Sequence, residues 1–469
     1  MRVIVCGAGA VGTTIARHLA SERIDVTVID SEPDQARRAD ESYDVRGMVG
    51  HASHPDVLER AGAQDADMLI AVTRSDEVNM MACQVAYSLF GVKRRIARIR
   101  HSGYLEPTWR ALFAPEQLPI DVIISPEIEV ARGIARRLRT PGAFDMVPLA
   151  NGRVQLLGIH CADQACAMAG LRLRDLPARL PGLGFVVVAV LRDGRGFVPS
   201  GHDEVRCGDD VYVVVEPAAV DRVMAAFGHR EHLARRVVLV GGGNVGLHLA
   251  RMLLRESPQV TLKMVERNPA RAQEVARELG AGVVVMQGDA LEGEVLEEAN
   301  VRAADVLVAV TNDDETNIFT SILAKRAGCQ RAITLVNKAS YEPVLPSIGI
   351  DTVVSPRTIT ISTILRHVRR GPVAAVHTLR EDFGEVIEAE ALRGSRLVSG
   401  PLRMVGMPGG MLVGALVRAG EVIIPTGDTV VQPGDRMIAV VTATALLDAE
   451  AIIAGEASAT LPGGGPAGG

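Results

Sequence analysis

The chain has 469 residues, 48% of them hydrophobic and 23% charged, with a formal net charge of −6. At about 100–200 residues per domain this length predicts three or four domains of an ordinary soluble globular protein. The acidic balance excludes a global basic field that would attract nucleic acid. The longest apolar runs, such as Gly184–Leu191, are far shorter than the roughly 20 residues of a membrane span. No signal-peptide pattern follows Met1, and six scattered cysteines favour a reduced, cytoplasmic setting.

The first part of the chain, up to residue 140, alternates short apolar strands with helical stretches. Helical periodicity is clearest at Val11–Ala20 and Val78–Phe90. The predicted strands are Val26–Ile29, Val45–Val49, Met68–Val72, Ile96–Ile99 and Val122–Ile124. Strict alternation of this kind predicts an α/β fold, with a doubly wound parallel sheet of the Rossmann-like type.

A different texture begins after Thr140-Pro141-Gly142 and predicts a small α+β domain. Its expected strands are Phe144–Leu149, Val154–His160, Phe185–Leu191 and Val211–Val215. The second half of the chain repeats the switch near Arg370-Gly371-Pro372. We therefore predict nucleotide-binding domains at 1–140 and 235–370, small α+β domains at 141–228 and 371–455, and a disordered Gly/Pro/Ala tail at 456–469.

The strongest feature of the sequence is an internal repeat. Gly7-Ala8-Gly9-Ala10-Val11-Gly12 recurs as Gly241-Gly242-Gly243-Asn244-Val245-Gly246. Further matched pairs follow in the same order, namely Asp67–Thr73 with Asp305–Thr311, Asp76–Asn79 with Asp314–Asn317, Ser125-Pro126 with Ser355-Pro356, and Gly208-Asp209 with Gly434-Asp435. A conserved order of motifs over such a length indicates an internal duplication.

Each glycine motif stands in the setting that a dinucleotide site requires. It follows an apolar strand and opens a helix, and an acid, Asp30 or Glu266, ends the next strand about 20 residues further on. The first glycine permits a tight turn, the second lets phosphate approach the backbone, and the third allows close helix packing. The helix N-terminus then offers N–H groups to phosphate.

The two acids predict which nucleotides are accepted. Asp30 and Glu266 can accept hydrogen bonds from ribose hydroxyls, and their charge repels a 2′-phosphate, which disfavours NADP. The alternative is a doubly wound fold whose glycine turns bind nothing. Loops at Gly50–Ser53 and Gly288–Ala290 follow the third strands and are candidates to line the adenine, because ligands bind at the carboxyl ends of such strands.

The two predicted sites differ in charge. Arg74 follows Thr73, and Arg98 ends the fifth strand, where the second half has Leu335. After Thr311 the second half instead carries Asn312, Asp313 and Asp314. Charge complementarity predicts that the first site tolerates a more highly charged phosphate chain, such as ATP. Surface solvation or a subunit ion pair is the alternative for the two arginines.

No metal site is predicted from the sequence. His51 and His54 form an H-x-x-H without a glutamate base or a third ligand. Cys161 and Cys166 lie near His160 but have no second Cys/His pair, so ordinary buried thiols are the simpler interpretation. Asp209 and Asp435, each after a glycine, are interpreted as turn residues.

Three segments add a family resemblance that covers residues 1 to about 455. They are Gly50–Leu58, Asp65–Thr73 and Ile96–Arg100. Together with the duplication, they resemble the TrkA family, the tandem RCK/KTN regulators of Trk potassium uptake systems. The resemblance implies a homotetrameric, non-enzymatic regulator on the inner face of the cell membrane. It would gate an integral-membrane translocation subunit of the TrkH or TrkG type in response to NAD(H), ATP and ADP.

The resemblance also implies which residues contact the nucleotide. They are Gly7, Ala8, Gly9, Ala10, Val11, Gly12, Asp30, Thr73, Arg74 and Arg98 in the first half, and Gly241, Gly242, Gly243, Asn244, Val245, Gly246, Glu266 and Thr311 in the second. Two departures stand out. Ala10 and Asn244 occupy a turn position where some single-repeat relatives carry a basic residue, and the second half lacks an equivalent of Arg98.

The helices Pro126–Arg139 and Pro356–Arg370 lie between the domains. Apolar residues recur at helical spacing in the second (Ile361, Ile364, Leu365, Val368), which ends in Arg366, Arg369 and Arg370. We hypothesise that these helices make subunit contacts and act as hinges, with packing inside one chain as the alternative.

Two further functions remain open from the sequence. A dehydrogenase needs an acid/base group beside the nicotinamide, and His202 is isolated. A free-standing nucleotide sensor is the other alternative.

Overall fold

The computed structural model describes residues 1–21, 23–114, 116–161, 166–229, 233–342, 344–350, 352–368, 373–379 and 383–454. The chain divides into two compact units. The first combines Met1–Arg139 with Ala234–Val368, and the second combines Thr140–Leu233 with Arg369–Gly469. The predicted disordered tail, Arg369, Arg370 and the switch at Gly371-Pro372 lie outside the described residues.

The first half of unit one is a six-stranded parallel sheet in the order β3-β2-β1-β4-β5-β6. Its elements are β1 Arg2–Cys6, α1 Ala10–Ser21, β2 Asp25–Asp30, α2 Pro33–Ser42, β3 Arg46–Val49, α3 Pro55–Arg60, β4 Met68–Ala71, α4 Asp76–Phe90, β5 Arg94–Arg98, α5 Ser102–Leu105, β6 Val122–Ile124 and α6 Pro126–Arg139. The strand order reverses direction between β1 and β4, and ligands bind in the crevice that such a switch point creates.

Unit two begins with a five-stranded antiparallel sheet in the order β10-β9-β11-β8-β7. Its elements are β7 Ala143–Leu149, β8 Val154–His160, α7 Leu176–Arg179, β9 Phe185–Arg192, β10 Arg195–Phe197, β11 Asp210–Val215 and α8 Val220–Ala226. The four predicted strands are present. Strand β10, a short edge strand that follows a tight turn at Asp193-Gly194, was not predicted from the sequence.

The second half of the chain repeats both sheets. The elements of the second parallel-sheet half are β12 Arg236–Val240, α9 Asn244–Glu256, β13 Thr261–Glu266, α10 Pro269–Leu279, β14 Val283–Gln287, α11 Gly293–Glu298, β15 Val306–Ala309, α12 Asp314–Ala327, β16 Arg331–Leu335, β17 Thr352–Val354 and α13 Pro356–Val368. Its strands form a parallel sheet in the order β14-β13-β12-β15-β16-β17. The antiparallel sheet has the order β18-β19-β22-β20-β21, from β18 Val373–Thr378, β19 Gly384–Glu390, β20 Met411–Arg418, β21 Glu421–Ile423, β22 Arg436–Thr442 and α14 Leu446–Ala454. The predicted fold class is confirmed.

The central strands form because their apolar runs are buried on both faces. Every residue of β4 and β15 is buried, as expected for parallel strands covered by helices on both sides. The following helices start at defined caps. The Ser75 hydroxyl accepts from the Val78 amide at 3.2 Å, and the Asp313 carboxylate accepts from the Thr316 amide at 2.7 Å, which satisfies an otherwise unpaired helix donor.

The last helix of each parallel-sheet half packs against the other half. Val130, Ala131 and Ile134 of α6 are buried in one core with Leu249 and Leu253 of α9. Arg139 strengthens the same contact with an ion pair to Glu256, at 2.6 Å. The helices α6 and α9 are thus packed together although they belong to different halves.

The reciprocal exchange involves α13. Ile364, Leu365 and Val368 are buried in one core with Ile15 and Leu19 of α1. The apolar stripe that we hypothesised to make subunit contacts is therefore used inside the chain, as the alternative interpretation held. The two exchanged helices also touch, since a Cβ on Gly133 would lie 3.3 Å from Cδ1 of Ile359.

The antiparallel sheets of unit two carry a repeated buried ion pair. The Asp209 carboxylate accepts from Nε and Nη2 of Arg192 at 2.8 and 2.7 Å, and Asp435 accepts from Arg418 at the same distances. Both aspartates are 1% exposed. They also accept turn amides, so the interpretation as turn residues captured only part of their role.

Candidate nucleotide-binding sites

The two glycine turns have the same backbone geometry. Gly7 and Gly241 have φ of +107° and +106°, a region that favours glycine. A Cβ on Gly12 would lie 1.8 Å from the carbonyl oxygen of Gly7, and one on Gly246 would lie 2.0 Å from that of Gly241. The first and third glycines of each motif are therefore required by the fold itself.

The middle glycines are not required by the fold. A Cβ on Gly9 or Gly243 would meet no atom within 4 Å, so open space lies in front of both. These glycines adjoin the first residues of α1 and α9, Ala10 and Asn244, where a helix presents N–H groups that have no partner within the helix. Open space beside such groups fits a phosphate.

The two acids hold the glycine turns in place. Asp30 accepts from the Ala8 amide at 2.6 Å and from the Glu32 amide at 2.9 Å. Glu266 accepts from the Gly242 amide at 2.7 Å and from the Asn268 amide at 2.8 Å. This role was not foreseen from the sequence. A carboxylate has about four acceptor positions, so capacity remains for ribose, and the ribose contact stays a prediction.

A buried asparagine organises the end of the fourth strand in each half. Asn79 accepts from the Thr73 amide at 2.8 Å and donates to the Arg98 carbonyl at 2.9 Å. Asn317 makes the same bonds to Thr311, at 2.8 Å, and to Leu335, at 3.0 Å. Both asparagines lie in a repeated motif of the sequence, Asp76–Asn79 and Asp314–Asn317, but their role was not predicted from it. They join neighbouring strand ends and so fix the loops that carry Thr73 and Thr311.

Arg98 is positioned at the first site with spare hydrogen-bonding capacity. Its Nη2 donates to the Thr73 carbonyl at 2.6 Å, whereas its Nε is buried without a partner among the described residues. Burial and then the neighbouring Arg100 lower the pKa of Arg98, although an arginine stays charged. Arg74 is exposed and contributes to the same lowering. An unsatisfied buried donor beside a second cation fits an anionic ligand.

The second site carries different residues at the positions equivalent to Arg98 and Arg74. Leu335 holds the position of Arg98, as predicted, and Asn312 that of Arg74. Asp314 does not distinguish the two sites. It is 4% exposed and accepts from the amides of Asn337 and Lys338. Asp76 accepts in the same way from the amides of Arg100 and His101, which follow β5.

A cation that the sequence analysis missed lies at the second glycine turn. The Arg271 Nε donates to the Gly242 carbonyl at 2.8 Å, and its Nη1 pairs with Glu274 at 2.7 Å. The first half has Gln35 at the equivalent position. The signal in the sequence was the difference between Gln35 and Arg271, each two residues after the proline that begins α2 or α10.

The loops proposed for adenine lie at the carboxyl ends of β3 and β14. The Gly50 amide donates to the Asp30 carbonyl at 2.9 Å, and the Gly288 amide donates to that of Glu266 at 3.1 Å. Adenine contact stays a prediction. The rings of His51 and His54 are 4.7 Å apart, and the described residues contain no group of three or more His, Cys, Asp or Glu placed to hold a metal ion.

Comparison with known proteins identifies the family. The model of the TrkA-N domain matches residues 3–126 and 237–356, and that of the TrkA-C domain matches residues 164–228 and 386–454. The chain is 47% identical to the Trk system potassium uptake protein TrkA of Azorhizobium caulinodans over 438 residues, which cover 93% of this chain and 95% of the relative. The chain belongs to the TrkA family of potassium uptake proteins.

A second TrkA relative and two solved structures are also similar to the chain. The Trk system potassium uptake protein TrkA of Halomonas elongata is 41% identical, over 93% of this chain and 95% of its own. The crystal structure of the GsuK RCK domain matches with a TM-score of 0.59 and 19% identity, covering 97% of this chain and 95% of that one. The GsuK channel bound to NAD has the same TM-score at 18% identity, with 97% and 79% covered.

Membership of the TrkA family confirms the resemblance found in the sequence. It also confirms the prediction that the chain is not an enzyme, since the family consists of potassium uptake proteins and not dehydrogenases. In the part of the chain that the structure describes, no helix is both long enough and apolar enough to cross a bilayer.

Proposed function

We propose that this chain is the nucleotide-responsive regulatory subunit of a Trk potassium uptake system. In this proposal it gates a membrane translocation subunit of the TrkH or TrkG type in response to NAD(H), ATP and ADP. Gating requires that the nucleotide bind two arrangements of the protein with different affinity. A difference of about 1–3 kcal/mol is typical of allosteric coupling.

The observation that carries the proposal is the connection between the two glycine helices. α1 packs on α13, α13 on α6, and α6 on α9, so one continuous set of helices joins the two candidate sites. Because α1 and α9 each begin at a glycine turn, a ligand at one site would act on a helix that is connected to the other site through α13 and α6. Regulation needs such a connection, whereas binding alone does not.

The contacts at the two sites support particular ligands. Asp30 and Glu266 adjoin the glycine turns and favour NAD(H) over NADP, by repulsion of a 2′-phosphate. The GsuK channel, which shares the fold, has been solved bound to NAD, and we extend that ligand to this chain. At the first site, Arg74 and Arg98 add two cations and favour the triphosphate of ATP.

The proposed assembly is a cytoplasmic homotetramer, peripheral on the inner face of the cell membrane. Large apolar side chains on the surface of unit one support association, because exposed apolar patches often mark interaction sites. Phe319 of α12 is 57% exposed and Val344 is 56% exposed. A free-standing nucleotide sensor is the remaining alternative, and it would not co-purify with a membrane subunit.

The proposal is tested by co-reconstitution. Potassium flux is measured in proteoliposomes that contain the cognate translocation subunit, with and without this chain, while NADH, ATP and ADP are added in turn. The proposal predicts flux that changes with nucleotide only when this chain is present. Flux that is indifferent to the chain, despite nucleotide binding to it, would favour the free-standing sensor.

A further inference from the structure

Two cysteines of the first antiparallel sheet are in direct contact. The Sγ of Cys161 donates a hydrogen bond to the Sγ of Cys166, 2.8 Å away, and the two residues are 0% and 5% exposed. Cys161 directly follows β8, and both its backbone groups are bonded, to the Asp209 carbonyl at 2.7 Å and the Gly208 amide at 2.9 Å. A closing movement of less than about 1 Å would bring the sulfurs to the ~2.05 Å of a disulfide.

We propose that Cys161 and Cys166 are a modification site, a dithiol that hydrogen peroxide converts reversibly into an intramolecular disulfide. The contact between the two sulfur atoms carries this inference, because disulfide formation requires both sulfurs to meet. A peroxide of nearly the size of water suits a site that is almost fully buried. The proposal does not depend on nucleotide binding or on gating.

The surroundings divide the two thiols into a nucleophile and its partner. The hydrogen bond from Cys161 lowers the pKa of Cys166, and the amides of Met168 and Ala169 lower it as well, against the opposing effect of burial. The same hydrogen bond, followed by burial, raises the pKa of Cys161. The lowered pKa favours the thiolate of Cys166, which is the reactive form.

The other buried cysteines provide internal controls. Burial raises the pKa of Cys6 to about 12, and burial also raises the pKa of Cys83 and of Cys329. These three remain thiols at neutral pH and are expected to react slowly. Cys207 is exposed and lies beside Gly208, the residue whose amide binds Cys161, so it is the competing thiol that an experiment must distinguish.

The proposed reaction consumes one peroxide and two thiols. The Cys166 thiolate attacks one peroxide oxygen, the O–O bond breaks, and hydroxide leaves, so that Cys166 becomes a sulfenic acid. The Cys161 sulfur then attacks the Cys166 sulfur, the S–O bond breaks, and the S–S bond forms. The two thiol protons join the two departing oxygens as water. The cysteines lose two electrons and the peroxide gains them.

The second antiparallel sheet shows that this fold does not need the pair. Ala391 stands where Cys161 does, since its amide donates to the Asp435 carbonyl at 2.8 Å. Ser395 holds the place of Cys166, at the same spacing before the paired turns at Leu173 and Leu402, and its hydroxyl donates to the Ile452 carbonyl at 2.8 Å. Cys161→Ala and Cys166→Ser thus introduce residues that the same fold already carries.

The experiment treats the full chain with hydrogen peroxide at neutral pH, then quenches, unfolds and alkylates it, and maps the peptides by mass spectrometry. We expect two of the six thiols to be lost as a Cys161–Cys166 disulfide and to return with dithiothreitol. The proposal is overturned if both cysteines stay fully alkylatable while Cys207 is oxidised, or if Cys161 pairs with Cys207 instead.

Variants test the assigned roles. In Cys161→Ala, Cys166 loses its hydrogen-bond donor, so it should oxidise more slowly and stop at a sulfenic acid that dimedone traps. In Cys166→Ser, the oxidation of Cys161 should slow at least tenfold. Cys207→Ser is the matched control and should form the disulfide as the parent does. Unchanged oxidation of Cys161 in Cys166→Ser would overturn the assignment of the nucleophile. Circular dichroism spectra of all variants should match that of the parent chain, which would show that the variants are folded.

Discussion

The Nη2 of Arg357 donates to the hydroxyl of Thr14 at 2.6 Å. Arg357 lies in the first turn of α13, the last helix of the second parallel-sheet half, and Thr14 lies in α1, the glycine helix of the first. In the repeat, Glu127 and His248 occupy the corresponding positions. Burial, followed by Arg251, lowers the pKa of His248, and the carboxylate of Glu127 opposes this lowering. Each half therefore places a charged residue against the glycine helix of the other.

We predict a measurable coupling between Arg357 and Thr14. A double-mutant cycle of Arg357→Gln and Thr14→Val, read by urea unfolding, should give an interaction free energy of about 1–2 kcal/mol, within the range for contacting residues. Thr13→Val is the matched control, because the hydroxyls of Thr13 and Thr14 both donate to the carbonyl four residues earlier in the chain, whereas the bond from Arg357 is to Thr14. Equal coupling in both cycles would mean that the Arg357–Thr14 contact contributes nothing specific.

A second prediction concerns the buried stripe of α13. Ile364→Ala should lower the free energy of unfolding by about 2–5 kcal/mol, because it leaves a cavity in a packed core, and Ile364 is 0% exposed. Phe319→Ser, at a surface position, should change it by only about 0.5 kcal/mol but weaken self-association, as measured by sedimentation. If Ile364→Ala instead dissociated the oligomer without destabilising the fold, the stripe would be a subunit contact.

The third prediction uses the repeated ion pair. Asp435 is the buried member of its pair with Arg418, so Asp435→Asn removes the charge of a buried carboxylate and should cost about 3 kcal/mol, near the lower end for a broken buried pair. The matched control is Asp428→Asn, since the pair of Asp428 with Arg403 has side chains 72% and 63% exposed and should matter by less than about 1 kcal/mol. Equal losses of unfolding free energy in the two variants would contradict this account.

The same pair predicts a dependence of stability on pH. Burial raises the pKa of Asp435, but the hydrogen bonds from Arg418 and the Gln432 amide outweigh this effect, and its pKa lies below the ordinary value. A carboxylate of lowered pKa stabilises the fold above its unfolded pKa of about 3.9 and loses that contribution as the pH falls further. Below about pH 4, the stability of Asp435→Asn should therefore fall less steeply than that of the parent chain. Parallel slopes in urea titrations would contradict the assignment.

Much of the fold was predictable because its signals are local. The apolar strands, the glycine turns and the acids that follow them lie within short stretches, and the duplication let one half check the other. The exchange of α6 and α13 was not predictable, since an apolar stripe such as Ile364, Leu365 and Val368 does not state which surface will cover it. Partners of this kind are set by tertiary packing.

The candidate sites also combine features that were predictable from the sequence with features that were not. The register of Arg98 with Leu335 followed from counting along the repeat. The bond from Asp30 to the Ala8 amide did not, because a sequence shows which residue types are present and not which acceptor a loop amide selects. Asn79 escaped notice for a similar reason, as its repeat signalled importance without revealing that its side chain joins two strand ends.

A further prediction concerns the charge of the first site. Arg98→Leu and Arg74→Asn replace each arginine by the residue of the second half, Leu335 or Asn312. Each should weaken ATP binding about tenfold or more, as expected for one charge-assisted hydrogen bond, and weaken NADH less, because NADH carries less phosphate charge. Calorimetry should use the full chain with Glu266→Gln at the second site, since α6 is buried against the second half. Equal losses for ATP and NADH would contradict the charge argument.

The most direct test of the central claim is potassium flux through the reconstituted translocation subunit, with the parent chain compared to Asp30→Asn and Glu266→Gln. Each variant keeps one oxygen that can accept from the glycine-turn amide, and it replaces the other oxygen, which accepts from the Glu32 or Asn268 amide, by an NH2 group. Each variant also removes the charge at the predicted ribose position. The account predicts that the nucleotide response shrinks in both variants, while flux without nucleotide and assembly with the membrane subunit are unchanged. A full nucleotide response in both variants would contradict the claim that nucleotides regulate uptake through these two sites.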